Sequence, residues 1–301
     1  AAQDHWPAHR ASLRRLGGML FSAEAQALAE QANRHPPELL THDRYGHRVD
    51  ALRVDPAWHA LLNMLRTSGL HARAWCQPGP GAQVARAATF YLHAQLEAGS
   101  LCPVTMTFAA WPVLRHEPLF AAIADKLQAE THDPRELPIS EKEAILIGMG
   151  LTEKQGGSDL RGTLTEATPV GTAGRGERYR LTGHKWFFSA PTCDAHLVLA
   201  KSDGGLSAFF VPRWRDDGSK NPILVQQLKD KLGNRSNASA EVEFLGAEGV
   251  LVGEPGRGIA TLVEMANTTR LDCAIASAAL MRAALLQAIH HARHRITFGR
   301  Q

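Results

Sequence analysis

Between residues 149 and 159 the chain reads Met-Gly-Leu-Thr-Glu-Lys-Gln-Gly-Gly-Ser-Asp, with the hydroxyls of Thr152 and Ser158 on either side of the pair Gly156 and Gly157. Glycines let a backbone approach a flat or anionic ligand, and the hydroxyls add hydrogen bonds to ring heteroatoms or phosphate oxygens. An ordinary turn has the same composition. Further on, Leu181 to Ser189 ends in Trp186, Phe187, Phe188 and Ser189. Such an aromatic face can shield an electron-accepting ring from water, or simply pack a core. The segment from Lys229 to Ser239, taken alone, reads as a solvated charged turn. Arg295, followed by Thr297 and Phe298, carries a planar fork suited to phosphate oxygens, and is equally an exposed cation at a helix end.

Several chemistries are set aside. Ser158 lacks the GxSxG elbow of a hydrolase nucleophile. No GxGxxG follows a strand, so a dinucleotide would not be held in the Rossmann manner. His290, His291 and His294 lie within about one helical turn but have no acidic or Cys partner at ligand spacing, and are read as a polar helix face rather than a metal site. Cys76, Cys102, Cys193 and Cys273 form no CxxC pair and are read as reduced. A net charge of +3 leaves nucleic-acid partners open.

These residues must be positioned by a chain of 301 residues, 44% hydrophobic, which suffices for about two domains. Apolar residues recur at three- and four-residue spacing over Ala11 to Asn33, Pro56 to Leu65 and Gln83 to Leu101, which predicts helices joined by loops at Pro36 to Asp50 and Gln77 to Gly81. After Gly148 short strand-like runs follow: Arg178 to Leu181, Lys185 to Ser189, His196 to Ala200, Leu206 to Val211, Ile223 to Leu228 and Ala240 to Phe244. Beyond Gly258 the helical period returns, and Arg270 to Arg293, free of Gly and Pro, predicts a long helix. Nothing after it covers its apolar face, so a truncated chain or packing on another chain is expected. No apolar run approaches the roughly 20 residues of a membrane span. Ala1 to Arg15 has no secretory apolar segment, and a cytoplasmic location is expected.

The segment GMGLTEKQGGSD resembles the flavin-contacting TEPxxGSD signature of the acyl-CoA dehydrogenase superfamily, and Lys154 in place of the usual Pro is similar to its AidB-type branch. Leu181 to Ser189 is similar to the family's GxKxWIT strand, with Phe187 at the Trp position. Lys229 to Ser239 resembles KLGxRxS, Arg295 to Gly299 resembles RxTFG, and HAQLEAGSLCPVTMTFAA again resembles the AidB branch. The resemblance implies an α+β fold: an all-α domain over residues 1–145, a β-barrel-like FAD-binding domain over 146–253, and the first helices of a C-terminal bundle over 254–301. It implies FAD held by Met149, Leu151, Thr152, Gly157, Ser158, Phe187, Phe188 and Ser189, with Arg295, Thr297 and Phe298 reaching the cofactor of a neighbouring subunit. Substrate contacts are implied for Ser158, Asn267 and Arg270.

In the family reaction a carboxylate removes an α-proton while a β-hydride goes to flavin. One subgroup carries that base just before the Arg that opens the long helix; here Thr269 stands there, so the base is expected beyond Gln301. The resemblance to the AidB branch favours a DNA-associated flavoprotein that limits alkylation damage, with a dehydrogenase of a short or branched acyl-CoA as the alternative. A homotetramer is expected by analogy, with double-stranded DNA and acyl-CoA as possible partners and no membrane.

Overall fold

The computed structural model describes residues 6–299. Helices come first: α1 (Trp6–Leu20), α2 (Ala23–Arg34), α3 (Pro56–Thr67), α4 (Arg73–Cys76), α5 (Ala82–Leu96), α6 (Leu101–Leu114) and α7 (Phe120–Gln128). The periodic stretch from Ala11 to Asn33 is broken in two because the Ser22 side chain accepts from the Ala25 N–H and starts a new helix. Asp55 caps α3 likewise, with Pro56 in its first turn. α6 is buried on nearly every side and forms the centre of the helical layer.

The expected loop between Pro36 and Asp50 is instead a hairpin, β1 (Glu38–His42) with β2 (Arg48–Arg53), so the first 145 residues are not all-α. Sequence periodicity passes over it because neither strand has a fully buried residue: β1 alternates exposed and half-buried positions, and β2 is half-buried on both faces. Arg48 fastens it to the later sheet by donating to the Val225 carbonyl.

Strands β3 (Ile147–Gly150), β4 (Glu166–Pro169), β5 (Arg178–Ser189), β6 (Ala195–Ser202), β7 (Gly205–Pro212), β8 (Ile223–Leu228) and β9 (Ser239–Val252) make one sheet. It closes on itself: β4 pairs with β6, β6 with β7, β7 with β9, β9 with β5, and β5 with β4. β3 bridges β5 and β6 at the other end, and closure leaves few free edges. The two runs expected before and after Gly183 are one strand. Gly183, at φ +145°, lets β5 pass where a Cβ would meet the Thr165 Cα at 2.6 Å. The barrel is filled by Tyr179, Leu181, Val198, Phe209, Val242 and Phe244 among others.

Helices and barrel are joined through buried polar groups. Glu97 accepts from the N–H groups of Gly99 and Ser100, from Asn33 and, across the domain boundary, from Ser236 Oγ at 2.8 Å. A Cβ on Gly99 would fall 1.9 Å from Ser236 Oγ. Gly99→Ala is therefore expected to cost about 1–3 kcal/mol as an overpacking change, read as a lowered thermal midpoint. Arg66, fully buried, donates to the carbonyls of Lys126, Ala129 and Ile145, which binds the end of α7 to the approach of β3.

The last helix, α8 (Gly258–His294), begins well before Arg270 and runs for 37 residues. By length and composition alone it can cross a membrane, contrary to the expectation that no segment qualifies. The difference is one of arithmetic: scattered polar residues interrupt the apolar runs without lowering the average hydropathy of a long window. Its first half packs against α5, α6 and β7, while Leu271, Leu280, Met281, Leu285 and Leu286 stay exposed.

Candidate functional site

The expected ligand-binding turn grows out of the end of β3. Met149 lies opposite Ser189 and Gly150 opposite Phe188, and beyond the strand the Trp186 N–H donates to the Thr152 carbonyl at 2.8 Å. Gly150 is required here, since its Cβ would meet the Phe188 ring at 2.6 Å. This brings Met149, Leu151, Thr152, Phe187 and Ser189 to one strand junction.

A register shift decides which aromatic side chain faces outward. Between Lys185 and Phe188 strand β5 advances three residues while β9 advances two, from Val242 to Ala240. The extra residue lets both Lys185 and Phe188 point into the barrel. Phe188 stacks on His196, with ring centroids 3.8 Å apart, and its side chain therefore does not line the candidate site. Phe187 points outward, 49% exposed. Simple alternation cannot reveal this, because the bulge resets the parity.

The turn itself is anchored by Glu153, whose carboxylate meets Lys185 Nζ at 2.6 Å with the two side chains 1% and 0% exposed. The same carboxylate accepts from the Thr165 hydroxyl and N–H, the Leu164 N–H and Gln155. Burial alone would raise the Glu153 pKa, but the Lys185 and Thr165 hydrogen bonds, with the Leu164 N–H, outweigh it and hold it at about 2. Burial brings Lys185 down to about 8, against the pull of Glu153. Thr152, Ser158 and Ser189 lie outside this network. Ser158 is exposed, and Thr152 and Ser189 are half-buried. Gly157 packs so close to Thr152 that a Cβ would sit 2.6 Å from its hydroxyl.

On the outer side, Lys229 Nζ lies 3.5 Å from the centre of the Trp186 ring and 4.6 Å from that of Phe187, while pairing with Glu241 at 2.6 Å. Glu153, Lys185, Lys229 and Glu241 thus hold the junction, and sequence reasoning missed all four. Opposite charges in two separate motifs were the available signal, but pairing them requires the strand register.

On α8, Asn267 and Arg270 are exposed one turn apart and bonded to each other at 3.2 Å. The Thr269 hydroxyl donates to the Ala266 carbonyl. Asp272 is buried and receives both guanidinium nitrogens of Arg86, at 2.7 and 2.6 Å, as well as the Thr105 hydroxyl. The carboxylates of Glu153 and Asp272 are thus each engaged by a buried cation and a threonine hydroxyl. Arg295, Thr297 and Phe298 are exposed beyond the end of α8. The last buried residue of that helix is Ala279, so at 1.5 Å per residue Arg295 stands roughly 24 Å further along. Within one chain the structure therefore leaves these three residues on a projecting end.

Residues 1–134 match the family described as adaptive response protein AidB N-terminal domain, and residues 148–246 match the acyl-CoA dehydrogenase middle domain. The chain is 52% identical to AidB of Escherichia coli (strain K12), over 94% of this chain and 52% of that protein. The chain belongs to the acyl-CoA dehydrogenase superfamily. A second member, acyl-CoA dehydrogenase family member 11 of Caenorhabditis elegans, is 32% identical over 94% of this chain and 47% of its own length. The solved structure of ACDH-11 from the same organism, in complex with C11-CoA, superposes with a TM-score of 0.84 at 29% identity, covering 94% of this chain and 49% of that one. The chain thus spans about half the length of these relatives. The α+β architecture of helices, barrel and a further long helix is that of the acyl-CoA dehydrogenase fold.

Proposed function

We propose that the junction of β3 and β5 holds the flavin of FAD in an AidB-type acyl-CoA dehydrogenase homologue. The observation that carries this reading is the exposed Phe187 ring at the strand junction of Met149, Thr152 and Ser189, next to a turn fixed by Glu153 and Lys185 that carries the exposed Ser158. The residues suit the group: an aromatic face and apolar Met149 for a flat ring, hydroxyls for its heteroatoms, and Gly157 for close backbone approach. FAD would supply the acceptor for a hydride taken from an acyl thioester. The chain's own residues bind and orient: Thr152 and Ser189 fix the ring edge, Phe187 excludes water from one face, and Ser158 is placed to meet cofactor or substrate. Asn267 and Arg270 are the candidates on α8 for substrate. Arg295, Thr297 and Phe298, on their projecting end, fit a cofactor shared between subunits, which supports a homo-oligomer, by analogy a tetramer.

Ala substitution of Thr152 and Ser158 together is expected to lower FAD affinity roughly tenfold to a hundredfold, at about one net hydrogen bond each. Absorbance at the flavin bands after purification measures it. Retention of the wild-type flavin content would remove these residues from the site. Addition of a short or branched acyl-CoA then tests turnover by bleaching of those bands.

A second role rests on the match to the AidB N-terminal family: association with double-stranded DNA in protection against alkylation, in the cytoplasm. Duplex binding that weakens steeply with salt would support it. Flavin bands that do not bleach, together with such binding, favour this role over dehydrogenation.

A further inference from the structure

The loop from Lys229 to Ser239 is not the solvated turn that its composition suggests, for Ser236, Asn237, Ala238 and Ser239 are all buried. Lys142, Lys185 and Lys229 each meet a carboxylate at 2.6 Å. Lys231 differs. Its half-buried ammonium donates to the Asn237 carbonyl at 2.6 Å and to Ser239 Oγ at 3.0 Å, and among the described residues no carboxylate pairs with it. Burial lowers its pKa, as for an ammonium that lacks a counter-ion. Beside it the Asn237 side chain, 1% exposed, lies against the Cys102 thiol.

Lys231, Arg235, Asn237 and Ser239 line a cavity of about 140 Å³, walled on its far side by Pro36 and Pro37. One water needs roughly 10–15 Å³ on this measure, so the space admits something larger. Its charge balance is positive: Glu241 neutralises Lys229, and among the described residues Asp230 is the one acidic residue in a lining that also holds Lys231 and Arg235. Ser239 pairs with Ser189, so the cavity lies one strand away from the candidate flavin edge.

We propose that this cavity binds a small oxyanion, a phosphoryl or carboxylate group, with Lys231 as counter-ion and Arg235 at the mouth. The ligand would tie the Pro36–Pro37 segment to the barrel loop.

The test is thermal unfolding of the flavin-containing full-length protein, titrated with inorganic phosphate or with acetate against sodium chloride at matched ionic strength. Phosphate or acetate is expected to raise the midpoint in the millimolar range beyond the chloride control. A response to phosphate alone assigns a phosphoryl group, and an equal response to acetate assigns a carboxylate. Lys231→Met and Arg235→Ala are each expected to weaken the effect roughly tenfold or more. Arg235 is exposed, so its variant carries the test should Lys231→Met fail to fold. A wild-type midpoint that follows ionic strength alone, or an unchanged response in Arg235→Ala, would overturn the proposal. The readout does not depend on flavin chemistry, so its failure is separable from failure of the FAD reading.

Discussion

Lys185→Met is expected to destabilise the protein by about 3–5 kcal/mol, since it removes one partner of a buried ion pair and leaves the other charged. The Glu153 carboxylate would keep its bonds to Thr165 and Leu164 but lose the only cation that meets it among the described residues. At roughly 2–4 °C per kcal/mol, the thermal midpoint should fall by about 6–20 °C. The loss should reach the site as well, because Glu153 anchors the turn that presents Thr152 and Ser158. Removing both charges, as in Glu153→Leu with Lys185→Met, should recover much of the stability, since an apolar pair of similar volume can replace a buried ion pair. A double variant as unstable as Lys185→Met alone would refute the charge argument.

The same pair sets a pH dependence. The folded-state pKa of Glu153 is about 2 against an ordinary value of 4.5, so its contribution is fully present above about 4.5 and is lost as pH falls towards 2. The acid limb of unfolding should therefore be shallower in Glu153→Gln than in the wild type.

The second large effect is expected from Arg86→Met. Arg86 binds Asp272 through two nitrogens, and its guanidinium lies 3.5 Å from the centre of the Phe108 ring, so one side chain links α5, α6 and α8. Its loss strands a buried aspartate, again at about 3–5 kcal/mol. Here the damage should be local. Amide exchange in the first half of α8 should quicken while the barrel strands remain protected, because α8 rests on α5 and α6 through few buried side chains of its own. Equal acceleration in barrel and helix would show that Asp272 supports the whole core.

Some of this was legible along the chain. The helix-to-strand change near residue 148, most barrel strands and the long helix follow from periodicity, and the GGSD turn and the KWFFS strand mark the candidate site by their residue types. The hairpin at Glu38–Arg53 was not legible, because two half-buried strands carry no apolar alternation. Nor was the role of the Lys229 to Ser239 segment, whose charged composition hides a buried end.

By itself the sequence determined local conformation and the kinds of group available, since hydrophobic period, capping residues and glycines act over a few neighbours. Only the tertiary structure decided which groups meet. Glu153 finds Lys185 across 32 residues, Arg86 finds Asp272 across 186, and Glu97 finds Ser236 across 139. It also decided that Phe187 rather than Phe188 faces outward, because one extra residue in β5 turns the strand over, and strand register is set by the partner strand.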